Sequence, residues 1–420
     1  MNKSLTAYKV RERLDKFLGI FSPHFSVPET GFIGDVLYGL QAGKDVKLSC
    51  TGSELDEDIP LKETMERLGR NLKKEGLGER INEVLASEGA RHIEKDTVIA
   101  VDGSDIQKAY AKSMPYLATV RDGSTGKLGP GYWCLAAVAC QSGGRRIVPL
   151  HLRLWSCDAE DFVSENDETF AATEAVRAKA GRRGIYAADR GGDRGELLDH
   201  FADHGLDYVV RLVGNRNLLW GKKPALAEKL ARKCRMRHAE TLRRQTDKGE
   251  KVYNIEFGAI NVKLPWRAEP LRLVVVRGFG EQPMMLLTTL AATDSRQSLW
   301  QVVEAYLTRW RVEDSIRFIK QTYRLEDIRL LDYTRLRNMM ALVMAATYFT
   351  AVWLGKSLRQ QILAGNLTRI SKRIFGVAEF HYYAIADGIA ALLRRFGGWN
   401  SPLHPPPADP TPQLPLFSSA

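Results

Sequence analysis

The sequence predicts an α/β protein: a mixed-sheet core with a helical segment before it and a mostly β insertion before its last helices. Three observations predict this. Two short β-rich apolar runs, residues 97–101 (TVIAV) and 184–188 (GIYAA), each lead into an aspartate, Asp102 and Asp189. A buried strand running into a carboxylate is how an α/β fold presents a ligand at a sheet edge. From Leu299 onward the apolar spacing becomes helical, and no Gly or Pro interrupts it before Gly355.

Bulk properties narrow the function classes. A chain of 420 residues with 44% apolar and 26% charged residues is ordinary for a globular protein of two or three domains. The net charge of +11 and pI near 9.3 favour an anionic partner without separating nucleic acid from a membrane surface. No apolar run has the length of a membrane span, and residues 1–17 lack a signal-peptide core, so no membrane association is expected. The five cysteines form no CxxC pair and read as reduced structural thiols of a cytosolic protein. The eight histidines are read as offering no metal-ligand pattern. Any metal is therefore assigned to carboxylates, which points to magnesium or manganese.

In chain order, residues 1–95 form a helical N-terminal domain. Amphipathic spacing at 10–20 and 32–40 is followed by a polar turn and a helix from Pro60 through Leu72. Arg67, Arg70, Lys73 and Lys74 on that last helix suit a helix-turn-helix that binds DNA ends, and a plain helical hairpin equally well. Residues 96–214 form the first part of the core. The strand into Asp102 is followed by two consecutive strands near 132–140 and 146–154, a helix over 168–180, and the strand into Asp189. Asp102-Gly103 also reads as a turn, and Asp189 also reads as a helix cap. Residues 215–295 alternate or are β-rich, with Gly278-Phe279-Gly280 as a hairpin turn, and make the insertion. Residues 296–396 supply the late helices, including a core helix over 339–354 that is short for a span. Residues 397–420 hold too much proline for a packed core and read as disordered.

Within residues 306–320, YLTRWRVEDSIRFIK, four side chains share a helical stripe. With Tyr306 at zero, Arg309 falls at about 300°, Glu313 at about 340° and Lys320 at about 320°, with Arg317 at the edge near about 20°. Surface charge runs on helices are common, so a solvated face is the bland alternative. Yet one carboxylate among a phenol and three cations suits a place where a metal ligand meets a phosphate backbone. The spacing Tyr-x2-Arg-x3-Glu-x6-Lys resembles the signature of a large group of bacterial insertion-sequence transposases, the DDE type with a ribonuclease H-like core. Ser104-Asp105-Ile106, Lys108, the 121–126 loop RDGSTG, Gly131-Tyr132-Trp133 and Asp189-Arg190-Gly191 carry the same resemblance, which covers roughly residues 96–354.

The resemblance implies metal-dependent cut-and-paste transposition: hydrolysis at the element's ends, then strand transfer by the freed 3′-hydroxyl. Asp102, Asp189 and Glu313 would hold two Mg²⁺ ions, with Mn²⁺ as a substitute. Tyr306, Arg309, Lys320 and Arg317 would bind phosphates near the cleaved end. Implied partners are double-stranded DNA, both terminal inverted repeats and target, and a second copy in a homodimeric paired-end complex. The implied location is the bacterial cytoplasm, at the nucleoid. In relatives a tryptophan receives a flipped base; Trp266, Trp300 and Trp310 are candidates beside a core-packing role. Asp105 competes with Asp102 for the first acid; Asp102 is preferred because it directly follows the apolar run. The alternatives are a catalytically inactive or domesticated DNA-binding protein and a ribonuclease H-like nuclease without strand transfer.

Overall fold

The computed structural model describes residues 3–123, 125–246, 249–290, 293–355, 358–371, 381–396 and 398–399. The chain opens with five helices: α1 (Lys3–Leu18), α2 (Val27–Gly43), α3 (Leu48–Ser53), α4 (Leu61–Leu72) and α5 (Leu77–Ala90). Gly76, at φ 69°, makes the left-handed turn that separates α4 from α5. The core follows as β1 (Thr97–Gln107), β2 (Ala118–Arg121), β3 (Leu128–Gln141), β4 (Ile147–Trp155), α6 (Glu165–Ala180), β5 (Ile185–Ala188), α7 (Gly195–Asp203) and β6 (Asp207–Arg211). The inserted region adds β7 (Asn217–Trp220), β8 (Lys223–Leu226), α8 (Ala227–Lys233), β9 (His238–Thr246), β10 (Gly249–Val262), β11 (Leu271–Arg277) and β12 (Met284–Thr288). The chain then runs through α9 (Arg296–Thr308), α10 (Trp310–Thr322), α11 (Tyr333–Ala351), α12 (Leu358–Ile370) and α13 (Tyr382–Leu393).

One mixed sheet organises the molecule. Its order is β2-β3-β1-β5-β6-β12-β11-β10-β9, with β4 also on β3. β1 pairs parallel with β5, and β5 parallel with β6; the other pairs are antiparallel. Of the inserted strands, β7 and β8 pair with each other, and β9–β12 join this sheet. β12 pairs with β6, Leu286 opposite Arg211, so β9–β12 continue the core sheet.

Side chains alternate across β1 and β5 and so bury on both faces. Ile99, Tyr186 and Ala188 join α6 and α7 through Val176, Leu197, Leu198 and Phe201. Val98, Ile185 and Ala187 join α9 through Leu299, Val302 and Val303. Ala100 joins a large cluster with Val312 and Ile316 of α10 and the buried length of α11.

That large cluster also takes in the five N-terminal helices, from Ala7 of α1 to Leu85 of α5. The helical segment therefore shares its core with α10, α11 and α13. Asn338 of α11 receives the Gly78 amide at 2.7 Å and donates to the carbonyls of Leu72 and Lys74. α11 is the expected core helix, buried from Leu336 to Ala351 apart from Arg337 at its start. Among the described residues no helix is long and apolar enough to cross a membrane. Of the predicted tail, residues 397 and 400–420 lie outside the described residues. Trp399 lies inside them and packs its ring 5.2 Å from Tyr38.

Candidate functional site

Strand register brings the two aspartates abreast. Val98, Ile99 and Ala100 of β1 pair in parallel with Ile185, Tyr186 and Ala187 of β5. Two residues beyond Ala100 stands Asp102, and two beyond Ala187 stands Asp189. Both follow the parity of the residues that face α9 and α10. The strand does not stop at Asp102, as the sequence suggested. β1 runs on to Gln107, because β3 continues to pair with it through Gly131 opposite Gln107. Asp102 is thus a mid-strand residue rather than the opening of a turn.

The third acid arrives on α10. Arg309 Nη1 donates to Asp102 Oδ2 at 2.8 Å, and its Nη2 donates to Glu313 Oε1 at 2.6 Å. One guanidinium therefore joins the strand acid to the helix acid. Arg309 is 4% exposed, whereas the Glu313 side chain is half open to solvent. Burial pushes the Asp102 carboxyl up to about 6; Arg309 opposes the rise, and the nearby charges of Asp189 and Glu313 add to it. Burial works against the Arg309 charge, but Tyr306, Asp102 and Glu313 together carry its pKa above the ordinary value.

Asp105 is grouped differently. It is buried, accepts from the Gly123 amide at 3.2 Å and from Gln107 Nε2 at 3.1 Å, and lies 3.8 Å from Lys320 Nζ. Asp102 shares Arg309 with Glu313 and feels the charges of Asp189 and Glu313. Asp189 also accepts the Gly191 amide at 2.8 Å and so caps the short turn Arg190–Gly192. Both readings of that residue, turn cap and cluster member, describe one side chain.

The predicted stripe is altered in two ways. First, the helix is not continuous: α9 ends at Thr308 and α10 begins at Trp310. The Arg309 amide bonds to Tyr306 O and the Val312 amide to Arg309 O, a 3₁₀-like tightening. Arg309 keeps right-handed helical dihedrals (φ −52°, ψ −32°), so no Gly or Pro is needed to make the break. Second, the stripe faces protein more than water. Tyr306 is buried with its hydroxyl unpartnered, and Arg309 lies 5.6 Å above its ring. Lys320 donates to the Asp105 carbonyl at 2.9 Å and pairs with Glu326 at 2.9 Å. Arg317 is exposed.

A cleft of about 350 Å³ opens beside the two aspartates. Trp133, Trp155, Glu165, Glu168 and Arg194 line it with Asp102 and Asp189. Trp133 and Trp155 stack at 6.0 Å. Of the tryptophans singled out from sequence, Trp300 packs on Phe257 and Trp310 on Phe279. Trp266 is half exposed and donates to Asp199 at 2.9 Å. In the N-terminal helices, Arg67 is held by Asp35 at 2.6 Å and Glu57 at 2.7 Å, an internal anchor rather than a free cation.

The histidines correct the sequence reading. His200 and His204 have the His-x3-His spacing that puts both rings on one helical face, and Glu174 of α6 meets them. The spacing was visible in the sequence; Glu174, on a different helix, was not.

A comparison with curated proteins finds no match. Among solved structures, the cryo-EM structure of the piggyBac transposase synaptic complex with hairpin DNA is similar at 10% identity and a TM-score of 0.36. The alignment covers 81% of this chain and 59% of that one, so this chain spans less than two thirds of its length. The family model described as "Transposase DDE domain" matches residues 93–349. That match takes in more than half of the sequence, from just before β1 to near the end of α11, with Asp102, Asp189 and Glu313 inside it, and the chain belongs to the transposase DDE-domain family.

Proposed function

We propose that this protein is a cut-and-paste DNA transposase of the bacterial insertion-sequence group with the Tyr-x2-Arg-x3-Glu-x6-Lys signature, built on a ribonuclease H-like core. The observation that carries the proposal is the meeting of three carboxylates from separate segments. Asp102 lies on β1 and Asp189 just past the end of the parallel strand β5, each two residues beyond the last paired positions, and Glu313 is tied to Asp102 through Arg309. A first-strand acid, an adjacent-strand acid and a late-helix acid are what the ribonuclease H-like reading requires.

The donor set fits divalent magnesium. All three groups offer hard carboxylate oxygens; burial raises Asp102 and the charges of Asp189 and Glu313 add to the rise, so a cation there would offset both. A pair of such ions supplies neutralisation of charge on the attacking and leaving oxygens of a phosphodiester. Asp102, Asp189 and Glu313 would hold them, with Mn²⁺ as a substitute. Arg309 already occupies the space between Asp102 and Glu313 as a cation. It keeps those acids together and paired before metal and DNA arrive, then serves as a bidentate phosphate donor. Lys320 steadies the carbonyl of Asp105 and acts as a point charge toward the DNA backbone, with exposed Arg317 beside it. The partners are the element's terminal inverted repeats, target DNA and a second copy of the chain, with residues 1–95 contributing to end binding.

The test is a labelled duplex carrying the element's end, incubated with protein in EDTA, Ca²⁺ or Mg²⁺. Mg²⁺-dependent cleavage followed by joining of the 3′-hydroxyl end to a second DNA supports the proposal. Cleavage without joining points to a nuclease, and binding without cleavage in any metal points to a DNA-binding relic.

A further inference from the structure

Outside the acid cluster, α6 and α7 bring together a second group with a different chemistry. Glu174, His200 and His204 place their ligating atoms within 4.8 Å of one another. Glu174 Oε1 lies 3.8 Å from His200 Nε2 and 3.5 Å from His204 Nε2. Ligands 2.0–2.1 Å from a tetrahedral zinc ion are spaced about 3.3–3.4 Å apart, so these two edges are within a small adjustment of ligation.

The surroundings orient His204 and Glu174 as metal sites do. His204 Nδ1 lies 2.8 Å from the His200 carbonyl, which can only accept; this fixes the proton on Nδ1 and leaves the Nε2 lone pair toward Glu174. Phe170 stacks on the His200 ring at 4.6 Å and sets its plane. Arg177 grips Glu174 through Nε, at 2.7 Å from Oε1 and 2.9 Å from Oε2, and through Nη2, at 2.7 Å from Oε2. A carboxylate oxygen has two lone pairs, so Oε1 keeps one. His200 Nε2 lies 2.9 Å from Thr173 Oγ1, whose hydroxyl donates to the Phe170 carbonyl. In the metal-free ring the proton therefore sits on Nε2, and ligation moves it to Nδ1.

We propose that Glu174, His200 and His204 form a transition-metal site, of the zinc class, separate from the carboxylate cluster. Two imidazoles and one carboxylate favour Zn²⁺ over Mg²⁺, and three protein ligands at a half-open surface leave a position for water. The ion ties α6 to α7. Because α7 begins directly after the Asp189 turn, it steadies the segment that carries Asp189.

The test uses tag-free full-length protein stripped with EDTA, then titrated with Co²⁺ alone and with Zn²⁺ in competition. The expected result is one equivalent of Co²⁺ with a tetrahedral visible absorption band, displaced by Zn²⁺, and a higher melting temperature with Zn²⁺. The band persists in Glu313→Gln, which disrupts only the carboxylate cluster. Affinity falls at least about tenfold in His204→Gln and in Glu174→Gln. His204 is a third exposed, so its substitution spares the core if Glu174→Gln fails to fold. A wild-type protein with no such band, or a band unchanged in His204→Gln, overturns the site.

Discussion

Asp102 is pulled in two directions, toward the neutral acid by burial and toward the carboxylate by Arg309. Its folded pKa, about 6, lies above the unfolded value of about 3.9. Between those values the folded protein holds a proton that the unfolded chain has released, so this group's contribution to stability falls as pH rises from about 4 to about 6. Metal-free protein melted across that range, with Asp102→Asn as reference, is expected to lose on the order of 2–3 kcal/mol relative to the variant. Divalent metal reverses the dependence, because it takes the ionised acid: Mg²⁺ affinity measured by calorimetry rises as pH passes upward through about 6. Asp105→Asn, by contrast, loosens the Gly123 loop and leaves Mg²⁺ affinity within about threefold, since Asp105 is not grouped with the other two acids. Gly192 is a further sensitive point. A Cβ there would stand 2.4 Å from the Ala188 Cβ, so Gly192→Ala displaces the Asp189 turn and costs about 1–3 kcal/mol in denaturant unfolding.

At the scale of elements, what was legible followed periodicity, and what was hidden followed pairing. The apolar runs before Asp102 and Asp189 marked β1 and β5, because strands buried on both faces read as continuous apolar stretches. The continuation of β1 through Asp102-Gly103-Ser104-Asp105 was illegible. Those residues are poor strand formers, held extended by pairing with Ala136, Leu135, Cys134 and Trp133 of β3. The break between α9 and α10 was equally hidden, since Arg309 stays in the helical region while only the hydrogen-bond partners shift. The Tyr-Arg-Glu-Lys spacing placed four side chains on one stripe, but spacing does not tell whether a stripe meets water or protein; here Arg309 and Tyr306 are buried. Arg309→Lys keeps one charge and loses the fork that reaches two carboxylates. The expected outcome is loss of end cleavage of at least about a hundredfold with DNA affinity, measured by gel shift, lowered by less than about tenfold.

Across the whole molecule, sequence composition suggested separable parts that the packing joins. The 1–95 helices bury against α11 and α13, and strands β9–β12 extend the core sheet through β12 and β6. Both facts depend on contacts distant in sequence, which no local pattern encodes. A chain lacking residues 1–95 exposes the buried face of α11, so it is expected to aggregate or to bind a hydrophobic dye, in place of folding as a smaller soluble core. Analytical centrifugation of that truncation decides the point. The central claim is that Asp102, Asp189 and Glu313 act together on DNA ends, and the most direct measurement is Mg²⁺-dependent cleavage of the element's own end by wild type and by Glu313→Gln. The wild type is expected to cleave at the end, and the variant to lose cleavage with DNA binding retained. Cleavage that survives unchanged in Glu313→Gln would contradict it.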